Sequence, residues 1–294
     1  YLSIKLLTNY FSGRKSMNNF YKFFLSLFLI LGLYSSNVFA KSSWDQIKDS
    51  GEIRMAVFQY EPYFSKDPST NKWDGSLVQM VREFAEDLNV DFKPVEVGGW
   101  SELVLSISTG KVDLACGMQA TPKRATAIDF AGPVYWIEWA AVTRPGFEGG
   151  DSWADFNKPE IKIAVMTGTS DEKLVKKWAP KATRIDFKEL SQIILAVSSG
   201  RADVFSTTVL SSLIAKQKNP GLGEFHVPRD AGGKSAALPG YCGIRYDADP
   251  RFKNFINWRA EWNNLMGYNE ERMRKYFEKY SSVKELPDTI SFSR

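Results

Sequence analysis

The amino-acid sequence predicts an α/β protein built as two lobes, each around its own parallel sheet. Three observations carry that prediction. The stretch 103–114 repeats in type at 193–204: each copy runs as an apolar helical pattern into Gly110 or Gly200, then a basic residue (Lys111, Arg201), then Asp113 or Asp203 beside an apolar strand. A second echo lies upstream of each copy, where Ile53-Arg-Met-Ala-Val57 matches Ile161-Lys-Ile-Ala-Val165. Between the copies, the aromatic run 131–145 is strand-like and then breaks at Pro145-Gly146.

The elements follow in order. Residues 53–57 are short and apolar and read as a strand. Leu77, Val81, Phe84 and Leu88 recur at helical spacing and define an amphipathic helix. A second helix ends at Gly110, its C-cap, and residues 112–116 form the next strand. The second copy repeats the series: a strand over 161–165, a helix with Leu174, Val175 and Trp178 on one face, a helix capped by Gly200, and a strand over 202–205. The expected order is strand, helix, helix, strand, twice. One larger doubly wound sheet would use the same elements, but a repeat in which each copy supplies its own core favours two lobes. The chain changes lobe near 137–142 and returns over 237–245. The expected division is 41–137 with 241–294 for the first lobe, 142–236 for the second, and 137–142 with 237–241 as a two-strand hinge. Ligands of open α/β sheets sit beyond the carboxyl ends of the strands. In two such lobes those ends face each other across a cleft that hinge motion can close.

The first 40 residues stand outside this frame. Met17 opens a short segment containing Lys22, an apolar run over 23–33 follows, and small and polar residues end in Val38-Phe39-Ala40. This is the pattern of a cleavable signal peptide over 17–40, and its apolar run falls short of the ~20 residues a membrane span needs. Residues 1–16 read as upstream read-through. An exported, periplasmic protein is expected. The leader also accounts for the formal net charge of +4: its only charged residues are Lys5, Arg14, Lys15 and Lys22, and without them 34 basic residues face 34 acidic ones. A balanced mature chain gives no reason to expect nucleic acid or an anionic membrane as partner.

Candidate binding residues fall where the cleft should be. Gly168-Thr169-Ser170 follows the strand 161–165 and opens a helix at Asp171. Free N–H groups at a helix N-terminus, with two hydroxyls beside them, suit a carboxylate, although Ser170 could equally be a plain N-cap. After the strand 112–116 come Gly117, Gln119 and Arg124. Glycine lets a ligand approach the backbone, Gln119 offers an amide donor and acceptor, and Arg124 can fork onto a carboxylate. Taken singly, Arg124 would read as a surface ion pair. Tyr60, just past the first strand, and Trp100, at the start of a helix, would wall the cleft rim, while core packing is the ordinary role of most of the nine tryptophans. His226 is the one histidine, read as a surface or loop residue, and the sequence holds no nucleophile elbow or Cys/His metal spacing. No catalytic set, metal or cofactor is expected. Cys116 and Cys242 are the two cysteines. They are either buried thiols or, if the returning strand joins the first lobe's sheet, a disulfide.

Together these motifs resemble the bacterial extracellular solute-binding proteins of family 3 over residues 50–280. The resemblance rests on Tyr60-Glu-Pro-Tyr63, Asp74-Gly75, Ser108-Thr-Gly-Lys-Val-Asp113, Gly117-Met-Gln-Ala-Thr-Pro-Lys-Arg124, Asp129-Phe-Ala-Gly-Pro-Val-Tyr135, Gly168-Thr-Ser170 and Ser199-Gly-Arg-Ala-Asp203 in that order. It implies the two-lobed type II periplasmic-binding-protein fold. It also implies a monomer that captures an amino acid or related small carboxylate or zwitterion for the permease of an ABC importer, without a cofactor. By resemblance, Arg124 clamps the ligand α-carboxylate with donors at Thr169 and Ser170, Tyr60 stacks on the ligand near Trp100, and Gly117 and Gln119 meet the amino end. The family's aspartate for the α-ammonium falls five residues after Asp203, where Thr208 or Thr207 stands instead. Burying an ammonium without a counter-charge is costly. The expectation that follows is a ligand with a carboxylate but no ordinary primary α-amine, for which Tyr60, Trp100 and Trp136 offer cation–π faces. The alternative is an enzyme, because cyclohexadienyl dehydratases share the fold. They place a glutamate near Thr208, and threonine is a poor general acid.

Overall fold

A computed structural model describes residues 41–281 and Phe292. The signal peptide and upstream segment expected over 1–40 lie outside the described residues. The strands, in chain order, are β1 (Glu52–Val57), β2 (Ser65–Lys66), β3 (Trp73–Asp74), β4 (Asp91–Glu96), β5 (Leu114–Met118), β6 (Asp129–Thr143), β7 (Lys162–Met166), β8 (Thr183–Phe187), β9 (Val204–Thr208), β10 (Phe225–His226) and β11 (Ala237–Ile244). The main sheet runs β4-β1-β5-β11-β6-β9-β7-β8, with β10 also paired to β6. β1 is parallel to β4 and β5, and β7 is parallel to β8 and β9. The two parallel sets are joined through the antiparallel strands β11 and β6. This is the mixed α/β, type II architecture.

The long strand β6 changes partner along its length. Its residues up to Glu138 pair with β11, and Trp139 to Thr143 pair with β9. We propose that the lobes part at this exchange and at Ala237, where β11 begins. Both points fall within the hinge read from the sequence.

The expected order lacks one strand per lobe. β4 and β8 lie between the two helices of each copy, each at an outer end of the sheet. Each pairs on one side only, and none of their residues is buried. A half-wet edge strand need not be apolar, so Asp91-Phe-Lys-Pro-Val-Glu96 and Thr183-Arg-Ile-Asp-Phe187 carry little hydrophobic signal, and Pro94 is admissible at an edge. β5 and β9 also begin later than read, because Asp113 and Asp203 precede them as caps. Asp113 accepts the Arg54 N–H at 2.7 Å and pairs with the Arg54 guanidinium at 2.7 Å. Asp203 accepts the Lys162 N–H at 2.8 Å and pairs with Arg144 at 2.8 Å. Each aspartate of the sequence repeat therefore ties the first strand of its lobe. His226 is not a loop residue: it lies in β10, paired with Ala141, with its side chain only 15% exposed and Nδ1 3.4 Å from Asp151.

Helices cover the sheet as their apolar faces require. The helix Ser76–Leu88 buries Leu77, Val81, Phe84 and Leu88. In the helix Asp171–Trp178, Leu174 and Val175 are buried and Trp178 packs partly buried against the core. Cys116 and Cys242 stand in register on β5 and β11 and form a disulfide. The bond ties the returning strand to the first lobe across a sequence separation of 126 residues. Replacing both cysteines by serine should lower stability in denaturant titration by about 2–4 kcal/mol. Alkylation of the denatured, unreduced protein should add no label, whereas two labels would contradict the bond.

Candidate functional site

Four strand ends converge on one place. Tyr60 follows β1, Gln119 and Arg124 follow β5, Thr169 and Ser170 follow β7, and Thr208 closes β9. The structure brings all eight residues singled out in the sequence, Tyr60, Trp100, Gly117, Gln119, Arg124, Thr169, Ser170 and Thr208, to the wall of one cavity. Tyr63, Tyr135, Trp139 and Asp171 complete it.

The wall residues bond to one another across the cleft. Arg124, 8% exposed, donates Nη1–H to Gln119 O at 2.9 Å within its own lobe and Nη2–H to Gly168 O at 2.6 Å in the other. Ser170 Oγ donates to Gln119 Oε1 at 2.8 Å, so Ser170 bridges the lobes rather than capping its helix. The cap is Thr169 Oγ1, which accepts the Asp171 N–H at 3.2 Å. Tyr60 Oη shares a 2.7 Å hydrogen bond with Thr207, and Tyr63 Oη donates to Thr208 at 3.2 Å. Further out, Ser211 Oγ donates to Glu61 O at 2.9 Å, and Lys218 pairs with the Glu61 carboxylate. The aromatic walls pack closely: Tyr60 meets the edge of Trp100 at 5.5 Å and stacks on Tyr63 at 5.7 Å, and Tyr63 stacks on Tyr135 at 5.9 Å. With the cleft closed in this way, the cavity is about 20 Å³, room for about one water. A larger interlobe hollow of about 510 Å³ adjoins it at Tyr60 and Trp100.

Two burial effects set the electrostatics. Burial lowers the Arg124 pKa, opposed by the nearby carboxylates of Asp171 and Glu172. Asp171 is 4% exposed, and burial raises its carboxyl to about 7 against hydrogen bonds from Trp139 and Thr169 and the charge of Arg124. Trp139 Nε1 donates to Asp171 Oδ1 at 2.6 Å, which fixes the carboxylate in the wall. The sequence reading used Asp171 only as the first residue of a helix, a position where an exposed acid is routine, and so missed it. Thr208 carries no carboxylate, and Asp171 adds one to the same wall. Trp139 was equally hidden, because the register that sets it opposite Thr208 is not written in β6 alone.

Fold and cleft are those of the two-lobed α/β, type II architecture. Residues 53–181 match the family model of the bacterial extracellular solute-binding proteins, family 3. The chain is 27% identical over 211 residues to a probable ABC transporter extracellular-binding protein, YckB, of Bacillus subtilis, covering 69% of this chain and 72% of that one. It is 28% identical over 202 residues to membrane-bound lytic murein transglycosylase F of Aeromonas hydrophila, covering 65% of this chain but only 39% of that relative. Its structure resembles that of the ancestral amino acid-binding protein AncCDT-1, a precursor of cyclohexadienyl dehydratase, with a TM-score of 0.69 and 26% identity over 80% of this chain and 100% of that one.

Two measurements test the site's construction. Gly168 has φ +82°, and a Cβ there would lie 3.0–3.2 Å from Ser101 of the opposite lobe. Gly168→Ala should lower stability by about 1–2 kcal/mol through its left-handed backbone and resist lobe closure. Small-angle scattering should then give a larger radius of gyration than wild type, and an unchanged radius would contradict the contact. For Asp171, the folded state keeps its proton up to about pH 7, while an unfolded aspartate loses it near its ordinary value of 3.8. Its contribution to stability therefore falls as pH rises through that window, by on the order of 4 kcal/mol. Asp171→Asn should flatten that slope between pH 4 and 7 in denaturant titrations, and an unchanged slope would place the raised group elsewhere.

Proposed function

We propose that the chain is the periplasmic solute-binding component of an ABC importer, exported by the segment 17–40, which captures an amino acid or related small carboxylate or zwitterion between its lobes. The observation that carries this reading is Arg124. It is buried at the interlobe cavity, and its guanidinium hydrogen-bonds to main-chain oxygens of both lobes. A carboxylate is a stronger acceptor than a carbonyl for a guanidinium and can take both N–H groups at once. Opening the cleft frees Arg124 Nη2 and the Ser170 hydroxyl, and a ligand carboxylate takes their bonds over on closure. Trp100 adds an indole N–H that is buried without a hydrogen-bond partner at the same wall. Tyr60 and Trp100, edge to face, part to admit the rest of the ligand, which extends toward the larger hollow. The names of the relatives support the class: one is an extracellular-binding protein of an ABC transporter and another an amino acid-binding protein. The partner is a permease that reads the closed form, the binding protein acts as a monomer, and no covalent chemistry is required.

A thermal-shift screen against amino acids, betaines and organic acids tests this. A ligand at about 100 times its Kd stabilises the folded state by about 2.7 kcal/mol. Arg124→Ala should abolish the shift, and a retained shift would remove Arg124 from the site.

One observation favours a second reading. Asp171 is a buried acid with a pKa near neutrality in the cleft, a property suited to proton transfer, and AncCDT-1 is a precursor of cyclohexadienyl dehydratase. Turnover of prephenate or arogenate that is lost in Asp171→Asn would establish it. Binding without turnover upholds the transport reading.

A further inference from the structure

The sequence leaves the amine of an amino acid without a counter-ion, because Thr208 stands at the family's acidic position. The structure places a different carboxylate in the same wall. We propose that Asp171 is the residue that recognises the protonated amine of the ligand, so that the site selects zwitterions with an N–H-bearing ammonium over plain organic acids and quaternary betaines. The inference rests on the binding reading above and deepens it.

Three observations support it. Asp171 lines the cavity with Arg124, Thr208 and the aromatic walls and is 4% exposed. Its side chain is held from behind: Oδ1 accepts the Trp139 indole N–H at 2.6 Å, and Trp139 lies opposite Thr208 on the paired strands β6 and β9. The Thr169 hydroxyl donates to Met166 O at 2.7 Å and accepts the Asp171 N–H at 3.2 Å. A carboxylate offers about four lone-pair directions, so the Trp139 indole leaves capacity for an ammonium. The charges around it complete the argument. Arg124 is the cation facing Asp171, Glu172 is the neighbouring acid on its own helix, and the Tyr60 phenol faces it from the first lobe. Glu172 is engaged by the Gly168 N–H at 2.7 Å. A site with one buried cation and one buried acid matches a zwitterion charge for charge. A plain carboxylate would occupy Arg124 but give Asp171 no cation, so the acid would either stay protonated or carry an uncompensated buried charge, and the ligand would gain nothing from it. A trimethylated amine would bring charge but no N–H.

Protonation follows from this arrangement. Without ligand, burial keeps Asp171 largely protonated just below neutral pH. An ammonium beside it favours the charged form, so binding near pH 6.5 should release a proton to the solvent.

The test titrates wild type and Asp171→Asn calorimetrically with the twenty common L-α-amino acids. Each amino acid that binds is then compared with its 2-hydroxy acid, for example L-phenyllactate beside L-phenylalanine, and glycine betaine is included. Asparagine keeps an acceptor for Trp139, and a cooperative melt of the variant verifies its fold. The expected result is an amino acid that binds wild type and loses roughly tenfold or more in affinity in Asp171→Asn, while its hydroxy acid changes little. Titration of wild type at pH 6.5 in two buffers of different ionisation enthalpy should show proton release, and the variant should not. Equal losses for both ligands, an unchanged amino-acid affinity, or no proton release would overturn the proposal. Preferential binding of hydroxy acids or betaine would also overturn it while leaving carboxylate capture intact. If no carboxylate binds wild type, both readings fall.

Discussion

The hydrogen bond from Arg124 to Gly168 O is the contact on which the closed cleft turns. A guanidinium cannot shed its charge at neutral pH, so a buried arginine must find acceptors. Here one lies in its own lobe and the other across the cleft. Ser170 and Gln119 bond beside it, and Tyr60 and Tyr63 reach Thr207 and Thr208 from the other wall. The same side chains that would contact a ligand thus join the lobes directly. Closure and binding draw on one set of donors and acceptors, so a ligand has to offer better partners than the protein offers itself.

That competition explains why the cavity is small and why its composition is legible. The bonds at the cavity are made by residues at or shortly after the carboxyl ends of strands, and the internal repeat marks where those ends fall. The echo of 103–114 in 193–204 was enough to infer two lobes, and the motifs after the strands located Arg124, Thr169 and Ser170. The two repeat aspartates proved structural. Asp113 and Asp203 tie strand starts, at the end of the sheet remote from the site.

What stayed hidden has physical causes. The edge strands β4 and β8 bury none of their residues fully and carry only two apolar side chains each on the core side (Phe92 and Val95, Ile185 and Phe187), so their hydrophobic signal is weak. Asp171 has the local sequence of an ordinary helix start, and only the tertiary fold buries it. Its partner Trp139 comes from a strand that serves both lobes, and the Trp139–Thr208 register depends on where β6 exchanges β11 for β9. Cys116 and Cys242 were adjacent only if β11 returned to the first sheet, and β11 does. Pairing across long sequence separations is the common element in these cases, and a single sequence carries little of it.

The central claim is that a ligand carboxylate replaces the main-chain oxygen at Arg124. A crystal structure of the protein with a bound carboxylate ligand tests it most directly. The expected result is both Arg124 terminal nitrogens within hydrogen-bond distance of the carboxylate, with Gly168 O released and Tyr60 separated from Trp100. A ligand bound elsewhere in the cleft, with the Arg124–Gly168 bond intact, would contradict the account.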